Sequence, residues 1–278
     1  MTQPTRILIT GATAGIGLEC ATQLASGNHL VLTGRSQSKL EAAAARVSSA
    51  GAARVDTLAC DFASLNSVRA LAAKVRDNYD HIDVLINNAG TVYATRTETQ
   101  DGYEATFAVN HLAPYLLTEL LKPLMIASAP ARIVITASTA HYRGTLDFDD
   151  LGYRHGYSTI KAYSRSKLAN VLYTRDLARE LADTGVTVNV LHPGMVATNI
   201  WDRAPWFARP VLALVKRFTM ISPEEGGRRL AYLAADAGLA ATTGQYFEDN
   251  TTREPSALAL DDSLGQQLRE QCDRLVGL

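Results

Sequence analysis

Cysteine is scarce in this chain: Cys20, Cys60 and Cys272 are its only three, and they lie far apart. An odd number at such separations builds neither a disulfide frame nor a zinc site, and it fits reduced thiols packed inside a cytoplasmic protein. Charge of one sign is scarce too, since 27 basic residues against 28 acidic ones leave a formal charge of −1. Without a basic field the chain is expected to bind neither nucleic acid nor an anionic membrane surface. No apolar run approaches the ~18 residues that cross a bilayer. The opening Met1-Thr2-Gln3-Pro4-Thr5-Arg6 leads into an apolar strand instead of a signal peptide. Internal repeats and low-complexity tracts are absent, as is any His, Cys or carboxylate cluster with metal-ligand spacing. Asn250-Thr251-Thr252 spells a glycosylation sequon, but a chain expected to be cytoplasmic never meets the enzyme that uses it.

What is present is a globular composition, 47% hydrophobic and 20% charged over 278 residues. That is enough for one domain, residues 1–278, around a large core. Strand-like runs recur at Arg6 to Thr10, His29 to Thr33, Arg54 to Ala59, Val84 to Asn87, Arg132 to Ala137 and Thr187 to Leu191. Helical patterns lie between them, and β/α alternation of this kind predicts an α/β fold with a doubly wound parallel sheet covered on both faces. Helix starts are expected at Ser38, at Ser64 and at Ser222-Pro223-Glu224-Glu225. Near the end, Leu264, Leu268, Cys272 and Leu275 form one apolar stripe, which should dock on its own domain. Met195 to Ile221 breaks the rhythm with Trp201, Trp206, Phe207 and Phe218 among Arg, Lys and Pro. So long a connection reads as a substrate lid, residues 195–221, the alternative being a packed helical insertion.

Two motifs carry chemistry. The turn Gly11-x-x-x-Gly15-x-Gly17 follows a strand and opens a helix, so its backbone N–H groups can cradle a pyrophosphate. The spacing departs from G-x-G-x-x-G, but strand, glycines, helix and a second strand ending at Thr33 give it the context of a dinucleotide site. Where a carboxylate would hold a ribose 2′-hydroxyl stand Gly34, Arg35 and Ser36, and an arginine fork suits a 2′-phosphate, so NADP(H) is the expected cofactor. Asp61 after the third strand can accept from an adenine amino group, and Asn87-Asn88-Ala89-Gly90 after the fourth lets backbone approach a ribose.

The second motif is Tyr163-Ser164-Arg165-Ser166-Lys167. Four residues apart on a helix, phenol and ammonium share a face and can form an acid/base group. Bringing a tyrosine from pH 10 to about 7 needs roughly 4 kcal/mol, which a desolvated lysine can largely supply if a second cation such as a nicotinamide ring assists. Tyr157-Ser158-Thr159-Ile160-Lys161 repeats the spacing, but Tyr157 follows Gly156 at the expected fraying end of the helix, and bulky Ile160 precedes its lysine where small Ser166 precedes Lys167. Among nearby hydroxyls, Thr136 and Thr139 compete with Ser138, which strand alternation favours. His141 and His192 read as structural hydrogen-bonding residues.

Taken in order, Thr10 to Gly17, Asn87 to Gly90, Asn110, Ser138, Tyr163 with Lys167, and Pro193-Gly194 with Thr198 resemble the short-chain dehydrogenases/reductases. Val109-Asn110-His111-Leu112, His141-Tyr142-Arg143-Gly144, Ser166-Lys167-Leu168-Ala169-Asn170 and His192-Pro193-Gly194 resemble their retinol dehydrogenase and WW-domain oxidoreductase branch. The resemblance implies a Rossmann-like sheet of order 3-2-1-4-5-6-7. It implies a catalytic set in which Tyr163 is the acid/base, Lys167 lowers its pKa and holds the nicotinamide ribose, Ser138 holds the substrate oxygen, and Asn110 places a water behind Lys167. Cofactor contacts are implied at Gly11, Thr13, Ala14, Gly15, Ile16 and Gly17, at Arg35 and Ser36, and at Asp61 and Phe62. Others are implied at Asn88, Ala89 and Gly90, and at Pro193, Gly194, Val196 and Thr198 beside the nicotinamide. The implied reaction is reversible hydride transfer between NADP(H) and a lipophilic carbonyl or alcohol. A cofactor-binding regulator without activity and a reductase of carbon–carbon double bonds are the alternatives. Monomer and homo-oligomer both stay open, because helices around Leu112 to Met125 and Tyr163 to Ala182 can pair between subunits whereas a large lid favours a monomer.

Overall fold

Ile7 and Ile9 point to one side of the first strand and Leu8 to the other, and all three are buried, so this strand lies in a sheet covered on both faces. The structure is a computed structural model that describes residues 4–195 and 221–278. The expected lid therefore lies, apart from its two end residues, outside the described residues, as do Val196 and Thr198. Eight strands form the sheet: β1 (Arg6–Ile9), β2 (His29–Gly34), β3 (Arg54–Ala59), β4 (Val84–Asn87), β5 (Ala131–Thr136), β6 (Val186–His192), β7 (Tyr246–Glu248) and β8 (Thr251–Arg253). Their order is 3-2-1-4-5-6-7-8, so the expected seven-strand order is present and extended by one strand. β1 to β7 pair in parallel, with Leu8 between Val31 and Leu85, and only β8 runs antiparallel. Asp249 and Asn250, both at positive φ (50° and 59°), close the β7–β8 hairpin.

Helices α1 (Gly15–Gln23), α2 (Gln37–Ser49) and α7 (Pro223–Ala235) cover the face that carries Ile7 and Ile9. On the other face lie α3 (Leu65–Asn78), α5 (Ala113–Ala127), α6 (Thr159–Glu180) and α8 (Asp262–Val276). A short α4 (Ala105–Phe107) passes through a π-helical turn, Ala108–Leu112, into α5. Ser64 caps α3 through Ser67 N–H, and Ser222 caps α7 through Glu225 N–H with Pro223 in the first turn, as expected. The start of α2 differs: Ser36, not Ser38, is its cap and accepts from Lys39 N–H, because the chain leaves β2 at Gly34 and turns at once. Gly227 sets the crossing of α7 over α1, where a Cβ would lie 2.6 Å from Glu19 Cβ.

The C-terminal stripe docks as expected. Leu268 and Cys272 are fully buried in the core shared with α6, with Leu264 and Leu275 packed against it. Arg269 fixes the helix from its flank through Asp176, Glu180 and Glu119, its Nε lying 2.9 Å from Asp176. No helix among the described residues is long and apolar enough to cross a membrane.

Candidate active site

The glycine turn, Arg35, Asp61, Asn88 to Gly90, Ser138 and Pro193-Gly194 follow the ends of β-strands, the rim at which open parallel sheets bind ligands. The glycine turn is shaped by close approach. Gly11 holds φ 67° and Gly15 φ 54°, both left-handed, and a Cβ on Gly17 would lie 2.5 Å from Asn88 Nδ2 and closer still to the carbonyl of Gly11. Thr10 locks this turn to the end of β4, its hydroxyl accepting from the N–H groups of Asn88 (2.9 Å) and Ala89 (3.0 Å). Asn88 returns the bond, donating to Thr10 O at 3.0 Å, so its side chain braces the turn. Ala14 stands at the cap of α1 with no side-chain hydrogen bond, leaving the first N–H groups of the helix to face outward. Thr13 and Ile16 are half-buried around it.

At the end of β2 the Thr13 methyl sits against Gly34, a contact any larger residue would break, and the exposed Arg35 follows directly. Ser36 is held as the α2 cap. Asp61 is exposed and accepts from Ala63 N–H at 3.1 Å, while the Phe62 side chain is buried in the core and can offer a ligand only its backbone. Pro193 and Gly194 follow β6; Gly194 is left-handed at φ 101° and lies over Arg229, whose guanidinium is paired with Asp249 at 2.6 Å.

The acid/base end is built on one face of α6. The Tyr163 phenol stands near Ser138, which caps the 3-10 turn Thr139–Arg143 by accepting from Ala140 N–H at 3.2 Å. Lys167 is 4% exposed and donates to Thr136 O at 3.0 Å, with its ammonium 5.5 Å from the Tyr163 ring centre. Burial drives the Lys167 ammonium down to about 8. With no nicotinamide cation beside it, burial raises the Tyr163 phenol above its ordinary 10, and Ser138 offsets only part of the rise. The Tyr157–Lys161 spacing falls apart here, since Tyr157 precedes α6 and donates to Tyr93 O at 2.8 Å while Lys161 is exposed.

Asn110 sits in the π-helical turn. Its Nδ2 donates to Thr91 O at 3.0 Å and to Ser166 Oγ at 3.1 Å, and its Oδ1 accepts from Thr91 N–H at 2.7 Å. Gly90 fits between Asn110 and Lys167, as a Cβ there would stand 3.3 Å from Asn110 Oδ1 and 3.9 Å from Lys167 Nζ. His141 is structural: Nδ1 meets Ser138 O at 2.8 Å, and Nε2 accepts from Ser256 N–H at 3.2 Å. His192 Nδ1 is buried with no hydrogen-bond partner among the described residues, and burial holds the ring neutral by lowering it to about 4. Thr10, His111 and Asn170 are engaged residues to which sequence reading gave no role. Asn170 had one legible signal, its position three residues beyond Lys167 on the same helical face.

A short chain dehydrogenase family model matches residues 5–205. The chain belongs to the short-chain dehydrogenase family. This short-chain dehydrogenase is 40% identical to mouse retinol dehydrogenase 14 over 286 residues, covering 98% of its own length and 86% of that protein's. It is 38% identical to mouse polyprenol dehydrogenase over 284 residues, covering 99% of itself and 85% of that protein. Its fold matches a variant of actinorhodin polyketide ketoreductase solved with NADPH, at TM-score 0.69, 31% identity, and 88% and 96% coverage of the two chains. As a member it is an oxidoreductase acting on CH–OH or carbonyl groups.

Proposed function

We propose that this protein is an NADP(H)-dependent oxidoreductase that interconverts a lipophilic ketone or aldehyde and its alcohol. The observation that carries the reading is the joined set of Tyr163, near Ser138, and the buried ammonium of Lys167 at the rim of the sheet. The residues present fit a dinucleotide: the Gly17 position admits no side chain, the first N–H groups of α1 have no side-chain cap, and Arg35 stands exposed where an NAD site would carry an acid. When bound, the nicotinamide supplies or accepts the hydride.

Gly11 to Gly17 would hold the pyrophosphate and Arg35 with Ser36 the 2′-phosphate, and Gly90 would leave room beside Lys167 for a ribose. Ser138 hydrogen-bonds the substrate oxygen, and Tyr163 gives that oxygen a proton in reduction and takes one in oxidation. Because burial raises the phenol, a proton held on Tyr163 is its resting state, and Lys167 supplies a positive charge within reach when that proton leaves. A lipophilic substrate is supported by the retinol and polyprenol in the relatives' names and by the aromatic sequence of residues 195–221. The test is a panel of aldehydes, ketones and alcohols offered with NADPH and NADH side by side, with products identified by mass and NMR. Apolar carbonyls should turn over with NADPH. Cofactor binding without turnover of any of them, or products saturated at a carbon–carbon bond, would overturn the reading.

A further inference from the structure

Behind Lys167 runs a buried chain of polar groups that the acid/base chemistry leaves unused. Asn170 is 3% exposed, and its Nδ2 donates to two main-chain carbonyls, Asn110 O at 3.0 Å and Thr136 O at 3.1 Å. The second of these is the carbonyl that receives the Lys167 ammonium at 3.0 Å. The first can receive no α-helical bond: four residues beyond Asn110 stands Pro114, which has no N–H to return to it. Asn170 Oδ1 meets His111 Nδ1 at 2.9 Å, and His111 Nε2 meets Cys272 Sγ of α8 at 3.3 Å.

Hydrogen-bond polarity admits one arrangement. Two carbonyls can only accept, so the amide nitrogen of Asn170 faces them and its oxygen faces His111. His111 must then carry its proton on Nδ1, which leaves Nε2 bare to accept from the Cys272 thiol. Burial keeps that thiol protonated and lowers His111 to about 4, so both stay neutral. Rings of Phe107, Tyr115 and Tyr173, centred 5.2, 6.0 and 6.2 Å from that of His111, enclose the imidazole and leave it no competing partner.

We propose that Asn170, oriented by His111 and Cys272, is a positioning residue that pins the two carbonyls on which Lys167 and the Asn110 turn are set. The inference rests on the acid/base reading of Tyr163 and Lys167. It assigns the C-terminal helix a part in the site: through Cys272, His111 and Asn170, α8 reaches the carbonyl that holds the lysine.

Two measurements test it. In the ligand-free protein, 15N NMR of His111 should show the Nδ1-protonated tautomer, neutral down to about pH 5; an Nε2-protonated ring, or titration near 6.5, overturns the chain of bonds. For Asn170→Leu, with folding checked by thermal melting, kcat should fall about 10- to 100-fold. KM should change less than about threefold, and the acid limb of the pH profile for alcohol oxidation should move up by about one unit as Lys167 loses its fixed place. If that variant fails to fold, His111→Asn, which keeps an N–H toward Asn170, should outperform His111→Leu in kcat. An unchanged kcat and pH profile in folded Asn170→Leu, or equal kcat in the two His111 variants, overturns the positioning role. If wild-type protein itself turns over no carbonyl or alcohol, the acid/base reading fails instead and the positioning role falls with it. The tautomer still decides whether the chain of bonds exists.

Discussion

The two halves of the site are made by opposite means. From Gly11 to Gly17 the chain removes side chains, so that a helix end and a carbonyl come within reach of one another. Along α6 it does the reverse and buries polar side chains, Lys167 and Asn170 among them, each tied to a main-chain carbonyl. A site built from backbone tolerates no added atom, and one built from buried side chains tolerates no lost partner. Substitutions in the two halves should therefore fail in different ways.

The largest effect is expected on the α6 side, in the chemistry alone. Tyr163→Phe removes the proton carrier but keeps the ring, so turnover should drop at least about 10³-fold while NADPH affinity, read by fluorescence titration, stays within about threefold of wild type. Retained turnover would sink the role of Tyr163. On the glycine side the failure should be one of binding. Gly17→Ala places a methyl against the Gly11 carbonyl and Asn88, so NADPH affinity should fall by about 100-fold and the thermal midpoint should drop. Normal affinity there would mean that the turn is not the pyrophosphate cradle.

The contrast also explains what could be read from the sequence. The glycine turn and the Tyr163–Lys167 pair are local patterns, set by periods of a strand and a helix, and they stand out in one dimension. Most of β1 to β6 shows for the same reason. β7 and β8 are three residues each, too short for alternation to appear, and of the Asp249-Asn250 turn that joins them only Asn250 stood out, as the start of a sequon. The His111–Asn170–Cys272 chain was out of reach, since its members lie 59 and 161 residues apart and no local spacing links them. Ser38 lost to Ser36 as a cap by a two-residue margin, because either serine satisfies the pattern and only the turn after Gly34 decides.

Burying a lysine has a cost that the glycine half does not carry. A displacement from 10.5 to about 8 is worth about 3 kcal/mol against the charged form. The penalty is complete below pH 8, where both folded and unfolded chains hold the proton. It is relieved between pH 8 and about 10.5, where the unfolded chain binds more protons than the folded one and stability rises with pH. Lys167→Met should thus stabilise the ligand-free protein by up to about 3 kcal/mol at pH 7 in urea denaturation, with the gain fading toward pH 10.5. Thr136 O keeps its bond from Asn170 in the variant, so no new orphan is made. A destabilised Lys167→Met would show instead that the ammonium is a net structural asset.

The smallest effect belongs to Arg35, an exposed charge at the end of β2. Its guanidinium would meet a 2′-phosphate in water, so the pair gains less than a buried one and is screened by salt. Arg35→Ala should weaken NADPH binding by about 10-fold at low ionic strength and less at 0.5 M salt, and should leave NADH affinity unchanged because NADH has no 2′-phosphate for the arginine to meet. Parallel titrations of both cofactors at two salt concentrations separate the possibilities. Equal losses for NADPH and NADH would make Arg35 a support for the turn at Gly34, and an initial preference for NADH would remove its role altogether.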